Sequence, residues 1–216
     1  TNINDIAVLE KLTKIPINII AFRALSDSIC RIAFEHAKIL NTEEAHIYYL
    51  SKYDEAPSFY KEKAVVERNR LGFENAEREN TYESFTQFIK KYPNADQVDD
   101  AWVNIHRIEY EKANELHTID AYESFIRKYP SAAQKNEAQE NIHTIAFENA
   151  KEIDNSKAYK SFIDRYPSSK QNEDALGLFY NRQFGEETIQ GNWESFRNFY
   201  STRSGPYKTI AADSIL

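Results

Sequence analysis

The side chains that could hold a metal or act as a nucleophile in this sequence are one cysteine, Cys30, and five histidines. The histidines are His36, His46, His106, His117 and His143. None stands in a metal-ligand spacing such as H-E-x-x-H or in a Cys/His cluster, but His106 and His143 lie 37 residues apart. They could share a metal, or they could be histidines of a surface or groove. Because no third ligand is evident, we predict that the chain has no metal site.

The sequence contains no residue pattern that is typical of an enzyme active site. Cys30 lies 113 residues before His143, and whole helix pairs are expected between them, which rules out hydrogen-bond reach. The neighbouring carboxylates Asp99-Asp100 and Glu186-Glu187 fit a helix start or a solvated surface better than a general acid/base pair. The sequence contains no G-x-S-x-G, P-loop or G-x-G-x-x-G pattern. We therefore predict a non-enzymatic segment with no catalytic residue and no cofactor.

One short phrase recurs at an interval of 37 residues. It reads QFIKKYPNA at 87–95, SFIRKYPSA at 124–132 and SFIDRYPSS at 161–169. Three series of aromatic residues recur in step with it. They are Phe34, Phe73, Tyr110, Phe147 and Phe184; Tyr49, Phe88, Phe125, Phe162 and Phe196; and Tyr53, Tyr92, Tyr129, Tyr166 and Tyr200. A fixed interval of this length is typical of an architecture that stacks one structural unit repeatedly.

Each unit is predicted to contain two helices. Apolar residues at steps of three and four indicate a long helix A over 136–150 and a shorter helix B over 158–166. Residues with capping side chains precede each helix B: Asn41-Thr42, Asn80-Thr81, Thr118 and Asn155-Ser156. Proline disfavours helix in the residue before it, so helix B should end at Pro93, Pro130 and Pro167. Two such helices bury their apolar faces only by stacking on neighbours.

The end of helix B carries a family resemblance. The matching residues are Phe88, Ile89, Tyr92, Pro93 and Asn94; Phe125, Ile126, Tyr129, Pro130 and Ser131; and Phe162, Ile163, Tyr166, Pro167 and Ser168. With the alanine-rich helix A, this F-[IL]-x-x-Y-P-x-[SA] pattern resembles the bacterial envelope branch of the tetratricopeptide superfamily over about residues 20 to 216. The sequence departs from that family in its interval of 37 rather than 34 residues and in lacking the W-x-x-L-G signature.

The resemblance implies an all-α, right-handed α-solenoid of antiparallel helix hairpins with a period of about 37 residues. We expect a cap or degenerate helix over 1–22, with a short helix stopped before Pro16, and hairpin repeats over 23–208. The approximate units are 24–60, 61–97, 98–134, 135–171 and 172–205. Residues 206–216 should begin a further, truncated helix.

The charge and hydropathy of the chain limit its partners. A formal charge of −7, with basic residues scattered among acidic ones, lacks the basic surface that nucleic-acid binding needs. The longest apolar run near the start, 17–22, is far shorter than the roughly 20 residues that span a bilayer. We therefore expect no nucleic-acid partner and no membrane insertion by this segment, and a protein or peptide partner instead.

The predicted function is a protein-interaction scaffold within a larger bacterial protein. The candidate binding groove is a row on helix A that contains His106, Tyr110, His143 and Phe147, although these rings could instead fill the seam between hairpins. The alternative function is a structural spacer or sensor stalk that carries an enzymatic or anchoring domain outside this segment. The resemblance implies the cell envelope or periplasm, whereas the residues themselves are also compatible with the cytoplasm.

Overall fold

The computed structural model describes residues 19–189, and over this range the protein is all-α, with no strand. Long helices of 18 to 22 residues alternate with short helices of 10 residues. In chain order the described helices are α1 (Ile19–Leu40), α2 (Glu43–Lys52), α3 (Ser58–Glu79), α4 (Tyr82–Lys91), α5 (Val98–Leu116), α6 (Ile119–Lys128), α7 (Lys135–Ile153), α8 (Ser156–Arg165) and α9 (Asn172–Ile189). The predicted cap before residue 19, and the predicted helices after residue 189, lie outside the described residues.

A two-residue turn joins each long helix to the short helix that follows. Its first residue has a positive φ between 47° and 51°, and its second residue is the N-cap of the short helix. The first residues are Asn41, Asn80, His117 and Asp154, and the N-caps are Thr42, Thr81, Thr118 and Asn155. Each N-cap side chain accepts a hydrogen bond from the backbone N–H three residues on. The predicted starts of helix B are confirmed.

The short helices end at a tyrosine followed by a tight turn. The carbonyl oxygens of Tyr92, Tyr129 and Tyr166 accept from backbone N–H groups three residues later at 3.0, 3.1 and 3.0 Å. Proline occupies the second position of each turn, where its fixed φ is favourable. Tyr53 makes the same bond at 3.0 Å although Asp54 replaces the proline, so the turn does not depend on proline.

Each long helix and its short partner run antiparallel, as α3 and α4 illustrate. Ser84 near the start of α4 donates to the carbonyl of Ala76 near the end of α3 at 3.0 Å. Further along α4, the ring of Phe88 lies 5.5 Å from that of Phe73, which is earlier in α3. The contacts therefore run in opposite directions along the two helices.

The core of each hairpin is a line of three aromatic rings, one from each series in the sequence. Centroids of successive rings are 5.3 to 5.7 Å apart. The trios are Phe34, Tyr49 and Tyr53; Phe73, Phe88 and Tyr92; Tyr110, Phe125 and Tyr129; and Phe147, Phe162 and Tyr166. Alanines on the long helices allow close approach, and Ala64, Ala101, Ala138 and Ala175 are completely buried.

The chain divides into two compact units, the first ending at Ile108 and the second beginning at Glu109. In both units an arginine of a long helix binds the positive-φ residue of the hairpin before it. Arg70 donates to the Asn41 side chain at 3.0 Å and Arg107 donates to Asn80 in the first unit. In the second, the Nε atom of Arg182 donates to Asp154 at 2.8 Å. These bonds tie neighbouring hairpins together within each unit.

Two long helices begin earlier than the sequence suggested. Helix α1 begins at Ile19, inside the segment assigned to the cap, and α3 begins at Ser58, three residues before 61. Two more residues separate Tyr53 from Phe73 than separate Tyr92 from Tyr110. They are absorbed as helix in α3, because the chain can enter a helix directly after Pro57. None of the helices between residues 19 and 189 is long and apolar enough to span a bilayer.

Candidate functional site

Two of the four predicted groove residues are core residues. Tyr110 is 6% exposed and Phe147 is 7% exposed. Their rings pack against Phe125 and Phe162 of the short helices, at 5.4 and 5.3 Å, and so present no face to a partner. This corrects their assignment to a binding surface. The other interpretation, in which the rings fill the seam between hairpins, stays a prediction, because the rings they pack against belong to the same hairpins.

The two predicted histidines are partly exposed. His106 lies one turn from Trp102 on α5, with 6.1 Å between ring centroids, and burial lowers the pKa of its imidazole. His143 lies on α7 beside Tyr166, with 5.2 Å between ring centroids. In the part of the chain that the structure describes, no three His, Cys, Asp or Glu side chains are grouped as metal ligands. A binding role for His106 and His143 stays a prediction.

Cys30 is a buried helix residue rather than an activated thiol. Its side chain is 5% exposed within the core of the first hairpin, beside residues such as Phe34 and Tyr49. Burial raises the pKa of the thiol, and the charge of Asp27 raises it further. The neutral thiol is therefore favoured, as expected for a cysteine that packs as a small apolar side chain.

His143 lies in a groove of the second unit, at the end where the groove is polar. This polar half has a volume of about 400 Å³ and is formed by the end of α6, the start of α7 and the end of α8. Its lining residues are Glu123, Ile126, Arg127, Gln139, Ile142, His143, Arg165, Tyr166, Pro167 and Ser168. The ring of His143 is partly exposed, but its Nδ1 atom is buried and has no hydrogen-bond partner among the described residues.

Charged and aromatic groups are held in place within the polar half. Arg165 donates to Glu123 at 3.3 Å, and its guanidinium lies 5.5 Å from the centroid of the Tyr166 ring. The backbone of Tyr166 is fixed in turn, because its carbonyl accepts from Ser169 at 3.0 Å and from the Asn172 side chain at 2.7 Å. Burial raises the pKa of the Tyr166 phenol, which therefore stays protonated at neutral pH.

A second pocket shares Arg165 and Tyr166 with the polar half and is called the apolar half. This half has a volume of about 390 Å³ and lies among the start of α6, the end of α7 and α8. Its lining residues are Ile119, Ala146, Asn149, Ala150, Ile153, Asn155, Lys157, Ala158, Ser161, Phe162, Arg165 and Tyr166. Ile153 is 63% exposed, so a large apolar side chain remains uncovered at this end. The two halves together are called the α6–α8 groove below.

The first unit contains a buried carboxylate that the residue pattern does not single out. Glu43, in the first turn of α2, is 8% exposed and receives hydrogen bonds from Lys91 at 2.6 Å, from Asn75 at 3.1 Å and from the Tyr92 phenol. Burial alone would raise the pKa of Glu43, but these hydrogen bonds outweigh it and hold the pKa below its ordinary value. The carboxylate thereby links α2, α3 and α4.

A second buried polar group is His46, which is 1% exposed on α2. Its ring lies 6.3 Å from that of Phe34, and its Nδ1 atom has no hydrogen-bond partner among the described residues. Burial lowers the pKa of His46, while the nearby charges of Glu67 and Arg70 act in opposite directions. The next hairpin places Phe85, fully buried, at the equivalent position, so His46 occupies a core site.

Comparison with models of known protein families and with the curated proteins gives no match to this chain. What the protein does must therefore be inferred from its own side chains.

Proposed function

We propose that the chain is a tetratricopeptide-like repeat protein that acts by binding another polypeptide, without enzymatic turnover. In this proposal its hairpins form a right-handed α-solenoid with a period of about 37 residues. The repeated two-residue turn, the repeated tyrosine turn and the repeated aromatic trio support it, since each recurs in all four described hairpins. We further propose that the segment belongs to a larger bacterial protein of the cell envelope.

The α6–α8 groove is the observation that carries the binding function. Its apolar half leaves Ile153 uncovered, whereas its polar half is lined by the partly exposed ring of His143. Exposed amide side chains, Asn149 and Gln139, lie in the two halves and can bond to a peptide backbone. An apolar floor beside hydrogen-bonding groups is the usual composition of a polypeptide interface.

Selection of peptides from a random display library on the immobilised protein tests this function. The proposal expects enriched peptides that bind the native chain and fail to bind a Ser161→Trp variant, in which an indole fills the apolar half from an exposed position of α8. The matched control is Gln87→Trp, because Gln87 is the exposed residue at the same position of α4 and lines neither half of the groove. Failure to enrich any peptide would contradict the proposal.

A spacer or sensor stalk is the second candidate function. It is favoured by the bonds that connect successive hairpins, from Arg70 to Asn41, from Arg107 to Asn80 and from Arg182 to Asp154. Such bonds stiffen each unit against bending between hairpins, which a spacer needs and a binding surface does not. A pure spacer would select no peptide, and replacing Arg70 or Arg182 with Ala would then alter stiffness, measured by small-angle scattering, without altering any binding.

A further inference from the structure

The ionisable groups of the α6–α8 groove are mainly basic, although the protein is acidic. The chain has 34 acidic and 27 basic residues. By contrast, the lining residues of the apolar half include Lys157 and Arg165 but no Asp or Glu. The polar half adds Arg127 and contains one carboxylate, Glu123, which is already paired with Arg165.

Two further carboxylates, one on α8 and one on α7, are also paired with local cations. Asp164 on α8 receives hydrogen bonds from Lys160 at 3.0 and 3.1 Å, and Glu140 on α7 lies 3.1 Å from Lys170. Arg127 and Lys157 both line the groove, and no carboxylate is recorded as an ion partner of either in the described structure. Two cations therefore remain to neutralise charge on a bound ligand.

From this distribution we infer that the partner segment of the α6–α8 groove is an acidic peptide that carries an aliphatic or aromatic anchor. The inference rests on the proposed binding function and specifies the chemistry of the partner. The anchor packs on Ile153 and the alanines beside it in the apolar half. Carboxylates of the peptide lie against Lys157 at one end and Arg127 at the other.

The surroundings of Arg165 also favour a peptide with carboxylate side chains. This side chain lines both halves, its charge is partly neutralised by Glu123, and its guanidinium lies 5.5 Å from the centroid of the Tyr166 ring. A peptide carboxylate can add a second partner to the guanidinium, because arginine has five N–H donors and Glu123 uses one of them. A lysine in the peptide would instead meet three cations and one paired carboxylate, so a basic segment is disfavoured.

The test uses the display selection described above and synthetic, fluorescently labelled copies of the enriched peptides. The inference expects these peptides to contain Asp or Glu together with a large apolar residue. Reversing one charge in the Arg127→Glu variant should weaken their binding about three- to tenfold. Raising the salt concentration from about 0.05 to 0.5 M should also weaken their binding to the native chain, because salt screens the attraction between opposite charges. The Lys157→Glu variant should behave in the same way.

The matched control is Lys90→Glu, which changes the net charge equally at the equivalent exposed position of α4, outside the groove. It should leave the affinity unchanged, and circular dichroism should show that all three variants retain their helices. Enriched peptides that lack acidic residues, or that bind Arg127→Glu as well as the native chain, overturn the inference but leave the binding function standing. Absence of any enriched peptide overturns both.

Discussion

Replacing Gly72 with alanine should lower stability although it improves helix propensity. Gly72 is an interior residue of α3, where alanine is favoured over glycine by about 1 kcal/mol. A Cβ atom there would lie 2.8 Å from Cε2 of Tyr92, closer than van der Waals contact permits. The Tyr92 ring cannot easily retreat, since its phenol donates to Glu43 and the Arg68 guanidinium lies 4.5 Å from its centroid.

The expected magnitude follows from these opposing effects. Overpacking of this kind costs about 1 to 3 kcal/mol, so the net change for Gly72→Ala ranges from about zero to a loss of about 2 kcal/mol. Gly177, in α9, provides the matched control because a Cβ there meets nothing within 4 Å. Gly177→Ala should raise stability by about 1 kcal/mol. Both variants gain the same helix propensity, so the difference between their changes in unfolding free energy is the steric cost of the Cβ atom at residue 72.

Urea unfolding followed by helical circular dichroism measures both variants. In a Tyr92→Ala background the obstructing ring is gone, so Gly72→Ala should become stabilising, as Gly177→Ala is in the native chain. Equal stabilisation by Gly72→Ala and Gly177→Ala in the native background would refute the packing of Tyr92 against α3.

Three further predictions concern the core, pH and capping. Phe162→Ala should lower the free energy of unfolding by about 3 to 5 kcal/mol, since this ring is 3% exposed; a loss below about 1 kcal/mol in urea unfolding would contradict its burial. Burial lowers the pKa of His46, so the unfolded chain binds the proton more tightly and stability should fall as pH drops below about 6.5. Unfolding curves at several pH values should show a smaller fall in His46→Phe, and an unchanged fall would exclude His46 as a cause. Thr118→Ala should cost about 1 kcal/mol, because the side chain caps α6, whereas Thr86→Ala in the interior of α4 should not destabilise; thermal melting distinguishes them.

The alternation of long and short helices, and the ends of the short helices, could be predicted from the sequence because their causes are local. The Thr118 side chain caps α6 by accepting from the backbone N–H of Ala121, only three residues later. Pro130 disfavours helix in the residue directly before it, Tyr129. The recurrence of each signal every 37 residues then reinforced the assignment. The same recurrence placed Phe125 and Phe162 in one aromatic series, and both are buried.

The candidate site could not be placed in the same way, because it depends on how helices are rotated against one another. Register puts Tyr110 and Phe147 one turn from His106 and His143, but only the packing of α6 and α8 shows that the two rings face inward. The α6–α8 groove combines residues from three helices, so no spacing along the chain indicates it.

The burial of Glu43 and His46 in the first unit could not be predicted from the sequence for a related reason. Glu43 lies in the first turn of α2, where an acidic residue is expected on helix-dipole grounds alone. Its partners Asn75 and Lys91 are 32 and 48 residues away in the sequence, at separations unrelated to the repeat. One signal was present for His46, which aligns with Phe85 and Tyr122 at a core position of the repeat.

The most direct measurement of the binding account is the isoleucine methyl NMR spectrum of the protein during titration with an enriched acidic peptide. Ile153 is 63% exposed and lines the α6–α8 groove, whereas Ile39 is 71% exposed near the end of α1 and does not line it. The account predicts that the methyl signals of Ile153 and Ile119 shift or broaden in proportion to bound peptide while those of Ile39 stay unchanged. A titration in which Ile39 responds and Ile153 does not, or in which no isoleucine signal changes, would contradict it.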